Sequence, residues 1–105
     1  MITHQQLLTA LAGHIGRERG ITARHLCARL NVSERQVRSL ISEARENGYG
    51  VCGTPRAGYF IAANAEELEE TCKFLRCRAL HSLTLESVLR KIPLVDLLGQ
   101  LRLPT

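Results

Sequence analysis

The sequence predicts a mainly α-helical chain with one small β-hairpin, followed by a long C-terminal helix and a short amphipathic tail helix. Three observations carry that expectation. Residues 21–47 read as two capped helices joined by an Asn-Val-Ser turn, residues 49–61 as two β-prone runs flanking a loop rich in Gly and Pro, and residues 64–92 contain neither Gly nor Pro.

Taken in order, Thr3 and Gln6 form a T-x-x-Q capping box. It opens a helix whose Leu7, Leu8, Leu11 and Ile15 make an apolar stripe, expected to end near Arg19 and Gly20. His4 and His14 are expected at the surface. Thr22 caps the next helix, where Leu26, Cys27 and Leu30 recur at helical spacing. In that helix His25 reads as a backbone or phosphate contact rather than a metal ligand. The helix stops near Asn31, a residue that tolerates the left-handed conformation of a helix exit, and Ser33 with Gln36 then forms a second capping box. From Glu34 onward Val37, Leu40, Ile41 and Ala44 fall on one face, and Glu34, Arg35, Arg38, Ser42 and Arg45 fall elsewhere.

Asn47 and Gly48 stop this helix, and the runs 49–52 and 59–61 flank a turn-forming loop whose only charge is Arg56, near its tip. Asn64 and Glu67 give a further capping box, with Glu66, Glu67, Glu69 and Glu70 at the positive end of a helix of some 25 residues. Its Leu68, Cys72, Leu75 and Ala79 follow a packing seam. The seam then meets Ser82, while Leu80, Leu83, Leu85, Val88 and Leu89 shift to another face, so the helix bends, breaks near His81 and Ser82, or buries two faces. Beyond Pro93, Leu94, Leu97, Leu98 and Leu101 mark a last helix of about two turns.

With 105 residues, 45% of them apolar, the chain supports one small core plus a helical extension. The expected domains are 1–62 and 63–105. No apolar run reaches the ~20 residues of a membrane span and the start lacks a secretory pattern, so a cytoplasmic location and no membrane partner are expected. The formal charge of +4 is unevenly placed: residues 1–62 hold eight arginines against four glutamates, and residues 63–105 balance six bases with six acids. An all-arginine excess suits phosphate and guanine contacts. The four cysteines lack metal-site spacing, so reduced, mostly buried thiols and no metal are expected. No nucleophile–base set, phosphate-cradling Gly loop or paired carboxylates in a pocket argues for an enzyme, and no cofactor is implied.

The run L-x-x-x-L-N-V-S-x-R-x-V-R-x-x-I, from Leu26 to Ile41, resembles the helix-turn-helix of small bacterial winged-helix regulators, such as the N-terminal domain of the biotin-operon repressor and the DeoR-type repressors. Residues 48–61, with the Gly58-Tyr59 pair, resemble their wing. The likeness covers roughly the first 60 residues, with Cys27-Ala28 at the usual small position and Asn31 in place of the more frequent Gly. It implies a winged helix-turn-helix that binds double-stranded DNA as a transcriptional regulator of a bacterial, phage or prophage system. Helix 34–46 would enter the major groove and wing 50–61 would touch the backbone or minor groove.

In that reading Arg35 and Arg38 reach bases, with Ser39 and Ser42 as secondary contacts. Ser33 and the backbone amides of the first turn, which holds Glu34, take a phosphate, and Arg24, Arg45 and Arg56 anchor the backbone. Residues 63–105 resemble none of these families' effector domains. Homodimerisation through Leu68, Cys72, Leu75 and Leu83, with the tail leucines Leu94, Leu97, Leu98 and Leu101, is the expectation. The alternatives are a helix that folds back on its own core, or a DNA replication or assembly adaptor whose leucine-rich tail recruits a protein partner.

Overall fold

A computed structural model describes residues 2–101; Met1 and the last four positions of the expected extension lie outside it. The order is α1 (His4–Leu11), a 3-10 turn at Arg17–Arg19, α2 (Ala23–Leu30), α3 (Glu34–Glu46), β1 (Val51–Thr54), β2 (Gly58–Ile61), α4 (Ala65–Arg90) and α5 (Leu94–Leu101). The chain is thus mainly helical with one two-stranded antiparallel sheet. It divides into two compact units, one up to Thr71 and the other from Cys72 on.

The local signals of the first unit act where the sequence puts them. Both capping boxes of α1 and α3 are formed, and Thr22 caps α2 by accepting the His25 N–H at 3.2 Å. Asn31 takes the left-handed conformation (φ 57°, ψ 50°), and the Val32 N–H reaches back to the Cys27 carbonyl at 3.1 Å, closing the end of α2 before Ser33 starts α3. Leu7, Leu11, Leu26, Val37, Leu40, Ile41 and Ala44 then bury together, with Ile21 and Val51 completing the core. Burying a large aliphatic side chain contributes roughly 1.5–3 kcal/mol, so these positions hold the three helices together.

Two expectations fail in the segment after α1. The helix ends at Leu11 rather than near Arg19, and Ile15, expected on its stripe, is 51% exposed. Gly13 and Gly16 account for this: a helix extended past Ala12 would carry two glycines, and Gly16 adopts φ 95°. The released chain is drawn to the hairpin instead. Ile15 bridges Ile61, and Ile21 exchanges two backbone bonds with Tyr59, at 2.8 and 2.7 Å.

His14 is correspondingly no free surface residue. It is half-buried, its Nδ1 lies 2.7 Å from the Arg19 carbonyl, and its Nε2 lies 3.0 Å from Arg29 Nη1. Donation from Nδ1 and acceptance at Nε2 satisfy both contacts with one neutral tautomer. His4 is also partly covered and meets Glu43 at 3.0 Å.

Register in the hairpin is Val51 opposite Ile61, Cys52 opposite Phe60 and Gly53 opposite Tyr59. Because side chains alternate, Val51 faces the helical core while Cys52 and Phe60 face the other way, and both are buried. The start of α4 lies on that side, with the Cys52 thiol 3.7 Å from the Glu67 carbonyl. Two glycines permit the fit between the hairpin and the segment before α2. A Cβ on Gly20 would stand 1.9 Å from the Ala57 carbonyl oxygen, and one on Gly58, at φ 80°, would stand 2.4 Å from that of Ile21.

Asn64 caps α4 by accepting the Glu67 N–H at 2.9 Å. The reciprocal half of the box is altered, since the Glu67 carboxylate accepts from Ala63 N–H at 2.9 Å and from Arg17 N–H at 3.1 Å. Those bonds, Ala63 first, hold the Glu67 carboxyl below the usual glutamate range. Glu70 pairs with the Arg17 guanidinium. The first turns of α4 therefore belong to the first compact unit, which runs to Thr71.

In the second unit α4 continues unbroken through His81 and Ser82 to Arg90. It ends with Lys91 in the left-handed conformation and the Ile92 N–H on the Ser87 carbonyl at 3.0 Å, so Pro93 can open α5. Leu97 is buried, Leu83, Leu94 and Leu98 are half-buried, and Leu101 is 41% exposed. Cys72 and Cys77 are exposed, against the expectation of mostly buried thiols, because the α4 stretch that carries them has no covering layer within its unit. No helix among the described residues is long and apolar enough to cross a membrane.

Candidate nucleic-acid interface

α3 presents two chemically distinct faces because its apolar residues repeat at helical spacing. Val37, Leu40, Ile41 and Ala44 are buried, which turns Arg35, Arg38, Ser39 and Ser42 outward, where all four are exposed. Together with Glu43 and Glu46 they line a shallow surface hollow. Glu43 is engaged by His4. Neither Arg35 nor Arg38 has an ion pair or side-chain hydrogen bond among the described residues, although Glu43 and Glu46 border the same hollow.

The start of α3 is partly self-satisfied. Ser33 Oγ accepts the Gln36 N–H at 3.2 Å, and Gln36 Oε1 accepts the Ser33 N–H at 2.9 Å. The Ser33 hydroxyl proton and the amides of Glu34 and Arg35 remain for an anion, where the helix dipole favours negative charge. Glu34 itself is exposed in this first turn.

The eight arginines of residues 1–62 are not equivalent. Arg17 is bound to Glu70, Arg29 donates to the Ala10 carbonyl and His14, and Arg45 Nε donates to the Val51 carbonyl at 2.8 Å. Arg45, expected to anchor nucleic-acid backbone, is half-buried and ties the end of α3 to β1; that bond consumes its Nε. Arg24, Arg35, Arg38 and Arg56 stand exposed with no partner among the described residues. The Arg19 side chain, which sequence reasoning did not nominate, is likewise exposed and unpaired among the described residues, although the Arg19 carbonyl meets His14. Its position one residue before Gly20, in the loop pressed against the hairpin, was the available signal, but the contact itself is between distant segments.

Arg56 lies in the loop between β1 and β2, where the Ala57 N–H donates to Thr54 Oγ1 at 2.9 Å. The close approach of Gly20 brings the turn at Arg17–Arg19 beside that loop, and Arg17, Gly20, Thr54 and Arg56 border one cleft, joined by Glu18 and Glu70. The first unit therefore offers an exposed helix face where Arg35 and Arg38 stand beside Glu43 and Glu46, and an exposed loop that carries Arg56.

No family model, no curated protein and no solved structure matches the chain. Among the described residues no group of three or more His, Cys, Asp or Glu is placed to hold a metal ion.

Proposed function

We propose that this chain is a small winged helix-turn-helix protein that binds double-stranded DNA with sequence preference, as a transcriptional regulator and a homodimer. One observation carries the reading: Arg35 and Arg38 share the outer face of α3, exposed and in no ion pair among the described residues, while the opposite face of the same helix is locked into the core. In this reading α2 and α3 form the helix-turn-helix around Asn31, and the hairpin, with Ile21 bridged to its second strand, forms the wing. Arg35 and Arg38 read base edges in the major groove, with Ser39 and Ser42 beside them, and Arg24 and Arg56 hold phosphates.

The dimer reading is supported by α4, where Leu75, Leu80, Leu85, Val88 and Leu89 are all more than two-fifths exposed in the isolated chain. Two copies would suit two half-sites. The adaptor alternative, with the tail as a docking peptide, is less well supported, since the central tail leucine, Leu97, is only 1% exposed. The reading is one of binding without catalysis or cofactor.

The test is selection of duplexes from a random pool, followed by titration of the enriched duplex and a scrambled one, with mass measured by light scattering. Arg38→Ala should cost roughly 1–3 kcal/mol on the enriched duplex and relax base preference, and Arg56→Ala should weaken both duplexes alike. Affinity should fall steeply with salt. No enrichment, or an equal loss on both duplexes for Arg38→Ala, would overturn sequence reading by α3.

A further inference from the structure

The cleft beside the hairpin loop contains a feature the proposed interface does not use. Arg17 and Arg56 border it from two segments, and Thr54 borders it with a hydroxyl that accepts from Ala57 N–H and keeps its own proton to donate. Arg56 has no partner among the described residues, but Arg17 is held by Glu70. Both members of that pair are about half exposed, 47% for the arginine and 53% for the glutamate side chain. An exposed carboxylate–guanidinium pair is weak and easily exchanged for another anion. The cleft thus sets the Arg17 guanidinium and the Thr54 hydroxyl beside Arg56, which the proposed interface gives to a phosphate; Glu18 also lines it, and Glu70 already occupies Arg17.

We infer that this cleft is a second seat for a backbone phosphate, and that Glu70 is an intramolecular competitor which withholds Arg17 from it. The inference rests on the DNA-binding reading above and adds a regulation to it. Glu67 next to it cannot play the same part, because its carboxylate is taken by the Ala63 and Arg17 amides and anchors the start of α4. Phosphate contacts carry no sequence information, so the competitor lowers affinity for every duplex alike.

The experiment is fluorescence anisotropy with a labelled duplex, enriched or scrambled, across a salt series, on the full chain carrying Glu70→Gln, Arg17→Ala or both. Thermal melting verifies that each variant is folded. Glu70→Gln should raise affinity roughly two- to fivefold at low salt, and should steepen the log-affinity against log-salt line by about 0.9, one additional phosphate. Arg17→Ala alone should change little, and the double variant should lose the gain. A gain that persists in the double variant would mean general charge repulsion by Glu70 and would overturn the inference, as would unchanged affinity and slope in a folded Glu70→Gln protein. If Arg35→Ala and Arg38→Ala leave duplex binding intact, the α3 reading fails instead, and the Glu70 arms still report on the cleft by themselves.

Discussion

On α3 every large aliphatic side chain is buried and two of three arginines stand exposed, whereas α4 carries Leu68, Phe74, Leu75, Leu80, Leu85, Val88 and Leu89 all two-fifths or more exposed. Both helices are rich in apolar and charged residues, but only α3 has its whole apolar face covered. α3 packs against α1, α2 and β1, so its surface divides into a face for the core and a face for something outside. α4 distributes its apolar residues around the axis, and no one flat neighbour covers them. In our proposal α3 serves recognition and α4 is the surface through which copies of the chain associate.

The strongest way to break the comparison is to truncate one side chain on each side of it. Leu26→Ala, at a fully buried core position, should cost about 2–5 kcal/mol in chemical denaturation. Leu89→Ala, at a position 83% exposed, should stay within about 0.5 kcal/mol when the protein is dilute. A Leu89 penalty that grows with protein concentration would sharpen the picture, since it would mean that association covers the helix. Equal penalties at all concentrations would show that the exposed face of α4 is packed in the monomer.

A smaller effect is expected at the seam between the hairpin and the segment before α2. Gly58→Ala requires a side chain at φ 80° and 2.4 Å from a backbone carbonyl that has little room to retreat. The variant should lose roughly 1–3 kcal/mol by thermal or urea unfolding. It should also weaken duplex binding through the displaced loop that carries Arg56. Wild-type stability in Gly58→Ala would mean that the hairpin is not pressed onto Ile21.

The subtlest test concerns Glu67. Its folded carboxyl is held below the unfolded value, so its contribution is fully present above the ordinary glutamate range and fades as pH falls through the lowered folded value. Wild type should therefore exceed Glu67→Gln in melting temperature at neutral pH, and the two curves should converge in acid. A gap that widens toward low pH would have the wrong sign for this carboxylate.

Much of the first unit was legible without coordinates because its determinants are local. Capping boxes at Thr3 and Ser33, the left-handed exit at Asn31 and the inward set Val37, Leu40, Ile41 and Ala44 all depend on residues a few positions apart. The end of α1 is marked in the sequence by Gly13 and Gly16 but masked by a stripe Leu7, Leu8, Leu11 that continues in spacing to Ile15; only the capture of the released chain by the distant Ile61 was not legible. The arginines were equally opaque. Counting them gives a charge, but which ones are spent on structure depends on partners six to fifty-three positions away, Val51 for Arg45 and Glu70 for Arg17.

What the sequence determined by itself, then, is where the helices of the first unit begin, where α2 and α3 stop and which side of α3 is greasy, since short-range hydrogen bonds and side-chain periodicity set these. Only tertiary structure decided that Arg17, Arg29 and Arg45 are tied down while Arg19, Arg24, Arg35, Arg38 and Arg56 are not. The physical reason is that a guanidinium group binds whichever acceptor the fold brings within reach, and that choice is made by packing between distant segments rather than by neighbours in the chain.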